Sequence, residues 1–374
     1  MFPSNEDPVP GIFVHGLSEV IARKNKVVVI HPQIWNPLRG KFHRKSNYYS
    51  HFNDIEIYRP KLFVLPKGDR LFFRAIVFFF SALSLIIKLR KQFHFDLIHA
   101  HMACPAGFAG VLLGIIFNKP VIVTAHGSDI HSFPKHFFLK RLVIFTLKKA
   151  TKVVAVSQSL KESISKMVGS QKELFVIRNG VNYEIFSPMD KTKTRGNLHL
   201  PINKKIILFI GSLIPIKGVD VLLRAFACMN KKNTNLLLVG KGASESELKA
   251  LAKELHIETQ VCFIGSKIHD EIPLWLNACD VFCLPSYNEG FPAVIIEALA
   301  CGMPVVSTEV GGIPEAIANE SLGILVKPGN KDELALALTK ALKKEWDYHA
   351  IAEYGKRFSW DTIAEEYIKL YKSL

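Results

Sequence analysis

Several kinds of protein are excluded by what these 374 residues lack. There are only six cysteines and no C-x-x-C pair, so the spacing carries neither a disulfide framework nor a paired-cysteine metal site. Cys279 and Cys283 stand in apolar company, where a free cysteine serves as a small core side chain. A reducing cytoplasm fits that usage. No signal peptide is legible, because Met1-Phe2-Pro3-Ser4 is neither basic nor apolar enough. The most apolar segment, 71–95, keeps only residues 75–87 free of charge, short of the ~20 residues that span a bilayer. Low-complexity tracts and fixed-period repeats are absent. So are helix-turn-helix, zinc-knuckle and RNA-binding signatures, which argues against nucleic acid as a partner. No Asp-x-Asp pair stands at a strand end to hold a metal.

Acidic residues are scarce in the first half. Residues 1–190 hold 26 Lys and Arg against 12 Asp and Glu, a net of +14 of the chain's +15. Such a field attracts anionic membranes or polyanionic acceptors. The flanking Arg70, Arg74, Lys88, Arg90 and Lys91 make segment 71–95 either a helix buried against a sheet or one lying on a membrane surface.

What is present is two domains' worth of chain with strands and helices in alternation. The most informative run is 281–315, VFCLPSYNEGFPAVIIEALACGMPVVSTEVGGIPE. Residues 281–284 read as a buried strand, 285–290 as a loop and 293–300 as a helix with Pro292 in its first turn. A second strand at 304–308 completes a βαβ unit. In parallel sheets ligands gather beyond the carboxyl ends of the strands, beside helix N-termini. Glu289 and Glu297 stand there together. An isolated E-x7-E is ordinarily a cap followed by a solvated residue. Here the two carboxylates would accept from sugar and ribose hydroxyls, and the amides of Gly290 and Phe291 would meet a phosphate.

The pattern S-x-x-E-G-F-P-x-x-x-x-E-A-L-A-x-G-x-P-V-V, followed by G-G-I-P-E, resembles the nucleotide-sugar site of the retaining GT-B glycosyltransferases of family 4. The resemblance implies an α/β, GT-B fold, with two Rossmann-like domains facing across a cleft. It implies that Glu289 holds the donor sugar and Glu297 the ribose. The loop Gly211–Gly218, GSLIPIKG, resembles the family's G-R-L-x-x-x-K-G. That makes Lys217 a charge partner for the leaving diphosphate, with Ser212 where many members have arginine. Gly240 and Gly242 resemble a nucleotide-facing G-x-G loop, and Gly265 falls near the base in relatives. In the first half, T-x-H-G-S-D resembles the acceptor-side loop, which gives His126 a place near the reacting sugar. Asp129 is either an acceptor contact or a cap for the next helix. His99 and His101 flank another strand end, where they either line the acceptor cleft or, the favoured reading, are core or surface residues. Arg178, in a turn resembling N-G-V-D, is assigned to the acceptor side and is also a candidate partner for the departing diphosphate. Gly11 ends the opening loop, residues 2–11, which in relatives follows a first strand; that strand is expected to be absent here.

The expected domains are residues 1–186 for the acceptor, a linker at 187–204, residues 205–357 for the nucleotide sugar, and a helix at 358–374 crossing back. The implied reaction moves a sugar with retention from a UDP- or GDP-sugar to a glycan or lipid-linked acceptor, without cofactor or metal. Similarity to teichuronic-acid and exopolysaccharide glycosyltransferases suggests bacterial envelope polysaccharide synthesis. The expected location is the cytoplasm, peripheral to the inner face of the membrane. A GT-B epimerase or phosphorylase is one alternative. A degenerate nucleotide-sugar-binding module, suggested by Ser212 and the expected loss of a strand, is the other.

Overall fold

The computed structural model describes residues 11–35, 49–52, 55–63, 70–132, 137–169, 171–229 and 232–374. Of these, residues 11–178 and 363–374 form one compact unit, and 179–362 form the other.

The second unit is built on one parallel sheet. Its strands are not β1 to β6 in chain order across the sheet, because the sheet grows in both directions from its first strand. With strands numbered along the whole chain, they are β10 (Lys205–Ile210), β11 (Thr234–Val239), β12 (Val261–Gly265), β13 (Val281–Leu284), β14 (Val305–Thr308) and β15 (Gly323–Val326). The spatial order is β12-β11-β10-β13-β14-β15. β13 and β14 are buried at every position. That is why β13 reads as a continuous apolar run rather than an alternating one, while in β14 the buried Ser307 and Thr308 hydroxyls donate to the Leu284 and Ser286 carbonyls, each at 2.6 Å. The order reverses between β10 and β13, and a doubly wound sheet binds ligands at such a switch point. The loops leaving those two strands carry Lys217 and Glu289.

In the first unit the described strands fall into three sheets. β1 (Val28–Ile30) pairs with β4 (Ile55–Tyr58) in parallel, and β3 (Tyr49–Phe52) joins β4 antiparallel. β2 (Gln33–Trp35) pairs with β5 (Lys61–Phe63). β6 (Ile98–His101), β7 (Val121–Ala125), β8 (Lys152–Ala155) and β9 (Leu174–Val176) form a parallel sheet in chain order. Residues 2–10 of the opening loop, and with them the expectation about a first strand, lie outside the described residues.

Segment 71–95 forms the helix Arg70–Leu89. By length and composition alone, Phe72–Leu89 could cross a membrane. In this structure one side of it is core. Ala75, Phe78, Ala82, Leu85 and Ile86 are buried, and this side packs on Leu62, Ala109 and Leu113. The opposite side leaves Phe73, Phe80 and Ile87 exposed. The core-helix reading of the segment thus describes one face, and the other face is exposed.

Two departures concern the domain borders. Residues 187–204, read as a linker from their polar, breaker-rich composition, hold the helix Lys191–Asn197. Asp190 caps it by accepting from the Lys193 amide at 2.6 Å. Its Arg195 is buried and ion-paired with Asp280 at 2.7 Å, so the segment packs into the second unit. The border itself falls at Asn179, whose Nδ2 donates to the Phe291 carbonyl at 2.9 Å. The last helix, Trp360–Lys372, belongs to the first unit from Ile363 onward.

Candidate donor and acceptor sites

Three loops at the carboxyl end of the second sheet fit together through glycines. After β10, Gly218 adopts φ 64° and leaves no room for a side chain, since a Cβ would lie 2.2 Å from the Pro285 carbonyl oxygen. The Tyr287 amide donates to the Ile216 carbonyl at 2.8 Å. The two loops flanking the switch point are thereby sewn together. Lys217 Nζ reaches Glu289 Oε1 at 2.6 Å, and the Ser286 hydroxyl donates to the same oxygen at 2.7 Å. Both charged side chains are largely buried, at 23% and 11% exposure. Such a pair is screened less than a surface one.

The G-G of the motif has a mechanical role. Gly311 is left-handed at φ 55°, and a Cβ there would fall 1.8 Å from the Glu289 carbonyl oxygen. Next to it the Gly312 amide donates to the Gly290 carbonyl at 3.0 Å. The loop after β14 therefore braces the loop that carries Glu289. Gly311→Ala should displace that brace and weaken donor binding at least ~10-fold, since close approach and positive φ fail together. Calorimetric titration of the donor checks it, with a melt to confirm folding.

The helix Ala293–Ala300 starts at Pro292, which sits one place earlier than expected, as the cap rather than inside the first turn. Its φ of −73° and ψ of 115° are extended. Phe291 is buried and its ring lies 5.7 Å from that of Phe358. Among the described residues, the amides of Gly290 and Phe291 have no acceptor. They and the helix N-terminus form a partial positive charge suited to an anion.

Glu297, 7% exposed, faces a partner that no motif announces. His269 Nε2 lies 2.9 Å from its Oε1. Burial alone would lower the His269 pKa, but the hydrogen bond and charge of Glu297 outweigh it, and the pKa is raised. Of the remaining donor-side residues, Gly240 stands where a Cβ would lie 1.9 Å from the Gly211 carbonyl oxygen. Gly242 makes the same close approach to the Leu213 carbonyl, at 2.1 Å. The Gly240 amide donates to Gly265 at 2.9 Å. Ser212 is exposed in this layer of loops.

The first unit gathers a separate group of residues. Gly11, at φ 76°, caps the helix Ile12–Ala22. Phe13, two residues on, has its ring 4.4 Å from that of His126. His101 Nδ1 and His126 Nε2 are 3.1 Å apart, so one ring donates and the other accepts. His126 Nδ1 is buried with no partner among the described residues. A ligand group is the natural complement of such an atom. Asp129 is fully buried and accepts from the amides of Ala103 at 2.7 Å, His126 at 3.1 Å and Gly127 at 3.0 Å. Burial raises its pKa, and those amides oppose the rise. The cap role expected for Asp129 is not the one it plays: it lies inside the helix Ser128–His131, whose cap Gly127 has no side-chain hydrogen bond, and its carboxylate instead braces the His126 loop.

His99 is drawn in by residues far off in sequence. Its Nδ1 meets the Tyr371 hydroxyl at 2.7 Å and its Nε2 meets Thr124 at 2.7 Å, while Thr124 also meets Tyr367 at 3.2 Å. The C-terminal helix thus closes over the ends of β6 and β7. Arg178 follows β9, where its charge opposes the burial-driven rise of the Glu366 pKa.

Burial holds His99 and His126 down to about 3, and His101 well below its ordinary value. A folded pKa below the unfolded ~6.5 means that the unfolded state binds more protons as the pH falls. These histidines therefore leave stability intact above about 6.5 and erode it progressively toward about 3. His269 acts with the opposite sign, losing its contribution as pH rises. Urea midpoints should fall between pH 7 and 5. His126→Gln should flatten that slope, and an unchanged slope would contradict the assignment.

Residues 11–185 match the family described as Glycosyltransferase Family 4, and residues 190–358 match the one described as Glycosyl transferases group 1. TuaC of Bacillus subtilis, a glycosyltransferase named for teichuronic acid biosynthesis, is 30% identical over 352 residues, 91% of this chain and 87% of that protein. Sucrose-phosphate synthase from Thermosynechococcus elongatus superposes with TM-score 0.82 at 25% identity, over 97% of this chain and 92% of that one. HepE of Anabaena, in a structure with UDP-glucose, gives 0.69 at 26%, over 85% and 86%. The fold and the paired loops at its switch point define a GT-B enzyme. The chain belongs to glycosyltransferase family 4, in the group-1 class that transfers sugar from nucleoside-diphosphate donors.

Proposed function

We propose that this glycosyltransferase moves a sugar, with retention of anomeric configuration, from a UDP- or GDP-sugar to a glycan or lipid-linked acceptor of the bacterial cell surface. The observation that carries the reading is the pairing of Lys217 with Glu289 at the switch point, beside two unpartnered amides. With donor bound, Lys217 and the amides of Gly290 and Phe291 take the diphosphate. Glu289, relieved of its lysine, accepts from the sugar hydroxyls, and Glu297 accepts from the ribose. The transition state develops negative charge on the departing diphosphate, where fixed donors act most strongly. His126 contacts the donor sugar through Nδ1. Asp129 and Arg178 support the acceptor side, the first by holding the His126 loop. Likeness to TuaC supports an envelope polysaccharide as product. The basic first half supports work at the inner face of the cytoplasmic membrane.

Thermal-shift screening against UDP-, GDP- and ADP-sugars tests the donor, since a ligand stabilises in proportion to occupancy, about 2.7 kcal/mol at a hundred times Kd. NMR of the glycoside then reads the anomeric configuration. Inversion, or epimerised sugar nucleotide from donor alone, would refute the proposal. Tight binding with no transfer to any acceptor would favour a binding module. Lysine and amides stand in for a cation in this scheme. Transfer is therefore expected to persist in excess EDTA, and its loss with recovery on adding Mg²⁺ or Mn²⁺ would contradict that.

A further inference from the structure

The helices Arg70–Leu89 and Phe137–Lys149 of the first unit begin beside each other. The Phe72 and Phe138 ring centroids are 6.1 Å apart. Phe73 joins from one side at 5.8 Å from Phe72, and Phe137 from the other at 5.7 Å from Phe138. Four rings thus form one continuous ridge, yet Phe73, Phe137 and Phe138 remain 58%, 62% and 62% exposed. Along the first helix Phe80 and Ile87 continue the exposed line at seven-residue spacing, which returns to the same face. Large apolar side chains gathered in one exposed strip mark an interaction site.

Charge selects the occupant. Neither helix contains an aspartate or glutamate. Basic side chains border the rings, with the Arg141 guanidinium 4.6 Å from the Phe137 centroid and Lys140 exposed next to it. A second copy would bring like charges together. A surface both apolar within and anionic at its edge satisfies rings and cations at once. We propose that this ridge docks the first unit on an anionic lipid bilayer, with the phenylalanines at the acyl boundary and the basic groups among the headgroups.

The direction of the helices gives the docking a consequence. Each leads into a strand of the parallel sheet, one into β6 and the other into β8, so each starts at that sheet's carboxyl end. His126 stands at the same end, directly after β7. Docking therefore brings the acceptor-side loop to the membrane and selects a lipid-linked acceptor. This last step rests on the transferase reading above.

The test is flotation of the full chain with phosphatidylcholine vesicles, with and without phosphatidylglycerol. Wild type should float with the anionic vesicles and less so in high salt. Phe137→Ser with Phe138→Ser, and separately Arg141→Glu, should lower the bound fraction at least ~10-fold. Donor affinity and the thermal melt should stay as in wild type, and Phe80→Ser gives a second apolar probe far from the ring cluster. Wild type that stays with the soluble fraction, or variants that float equally well, would overturn the proposal. So would a wild-type dimer in sedimentation velocity that the phenylalanine variant dissolves, since that assigns the ridge to a second copy. If flotation holds but no nucleotide sugar binds, the donor reading fails and the docking surface stands.

Discussion

Lys217→Ala and Glu289→Ala should each slow sugar transfer at least ~100-fold, a loss of about 3 kcal/mol in transition-state stabilisation. The lysine is placed by the loop after β10 and the glutamate by the loop after β13, and they meet at 2.6 Å. Ser286, in the same loop as Glu289, also donates to that carboxylate at 2.7 Å. If Lys217 balances charge that appears only as the diphosphate departs, its removal lowers kcat and kcat/KM together. If it merely binds the ground state, KM rises and kcat stays. The first pattern is expected for Lys217. Glu289→Gln keeps an oxygen for the Ser286 hydroxyl, so it should preserve the loop and lose less than Ala. Because each partner neutralises the other in the empty site, the double variant should lose less than the two singles combined. Near-wild-type transfer by both single variants would retire the site.

The largest effect on stability should come from a residue with no part in the chemistry. Arg195 is 4% exposed. Its Nε donates to the Ala278 carbonyl at 2.7 Å, its Nη1 to those of Ile202 and Lys204 at 3.0 and 2.9 Å, and its Nη2 to Asp280 at 2.7 Å. Asp280 also accepts from the Ile206 amide at 2.7 Å, at the head of the central strand. Removing the guanidinium leaves three carbonyls without their donor and takes from the buried Asp280 its nearest cation, with the Ile206 amide and Lys191 still in place. Arg195→Ala should cost about 3–5 kcal/mol. Lys191, 3.3 Å from Asp280, places the value toward the lower end. Arg195→Lys should rescue little, because one ammonium cannot reproduce the fork of bonds. Urea unfolding measures the loss, and a shift under ~1 kcal/mol would contradict the network's role.

The second unit was legible where a strand is buried on both faces, as β13 is, and where glycine or proline opens a helix, as Gly218 and Pro292 do. Residues 281–284 and 293–300 fall where the pattern put them. That Lys217 and Glu289 come together was legible in the same way, since each occupies a strand-loop-helix junction beside a close-packed glycine, Gly218 for one and Gly311 for the other. Pairings between distant segments were not legible. Nothing near His269 announces Glu297, and His99 is separated from Tyr371 by 272 residues. Composition misled at 187–204, where polarity concealed one buried arginine. The short strands between residues 28 and 63 are three or four residues each, too brief to show a period. The apolar helix Arg70–Leu89 divided its signal between a core face and an exposed one.

The most direct test of the central claim is a crystal structure with a UDP-sugar bound. The account predicts diphosphate oxygens within hydrogen-bonding distance of Lys217 Nζ and the amides of Gly290 and Phe291, with Glu289 on the sugar and Glu297 on the ribose. A nucleotide sugar bound elsewhere, with the Lys217–Glu289 pair still closed, would contradict it.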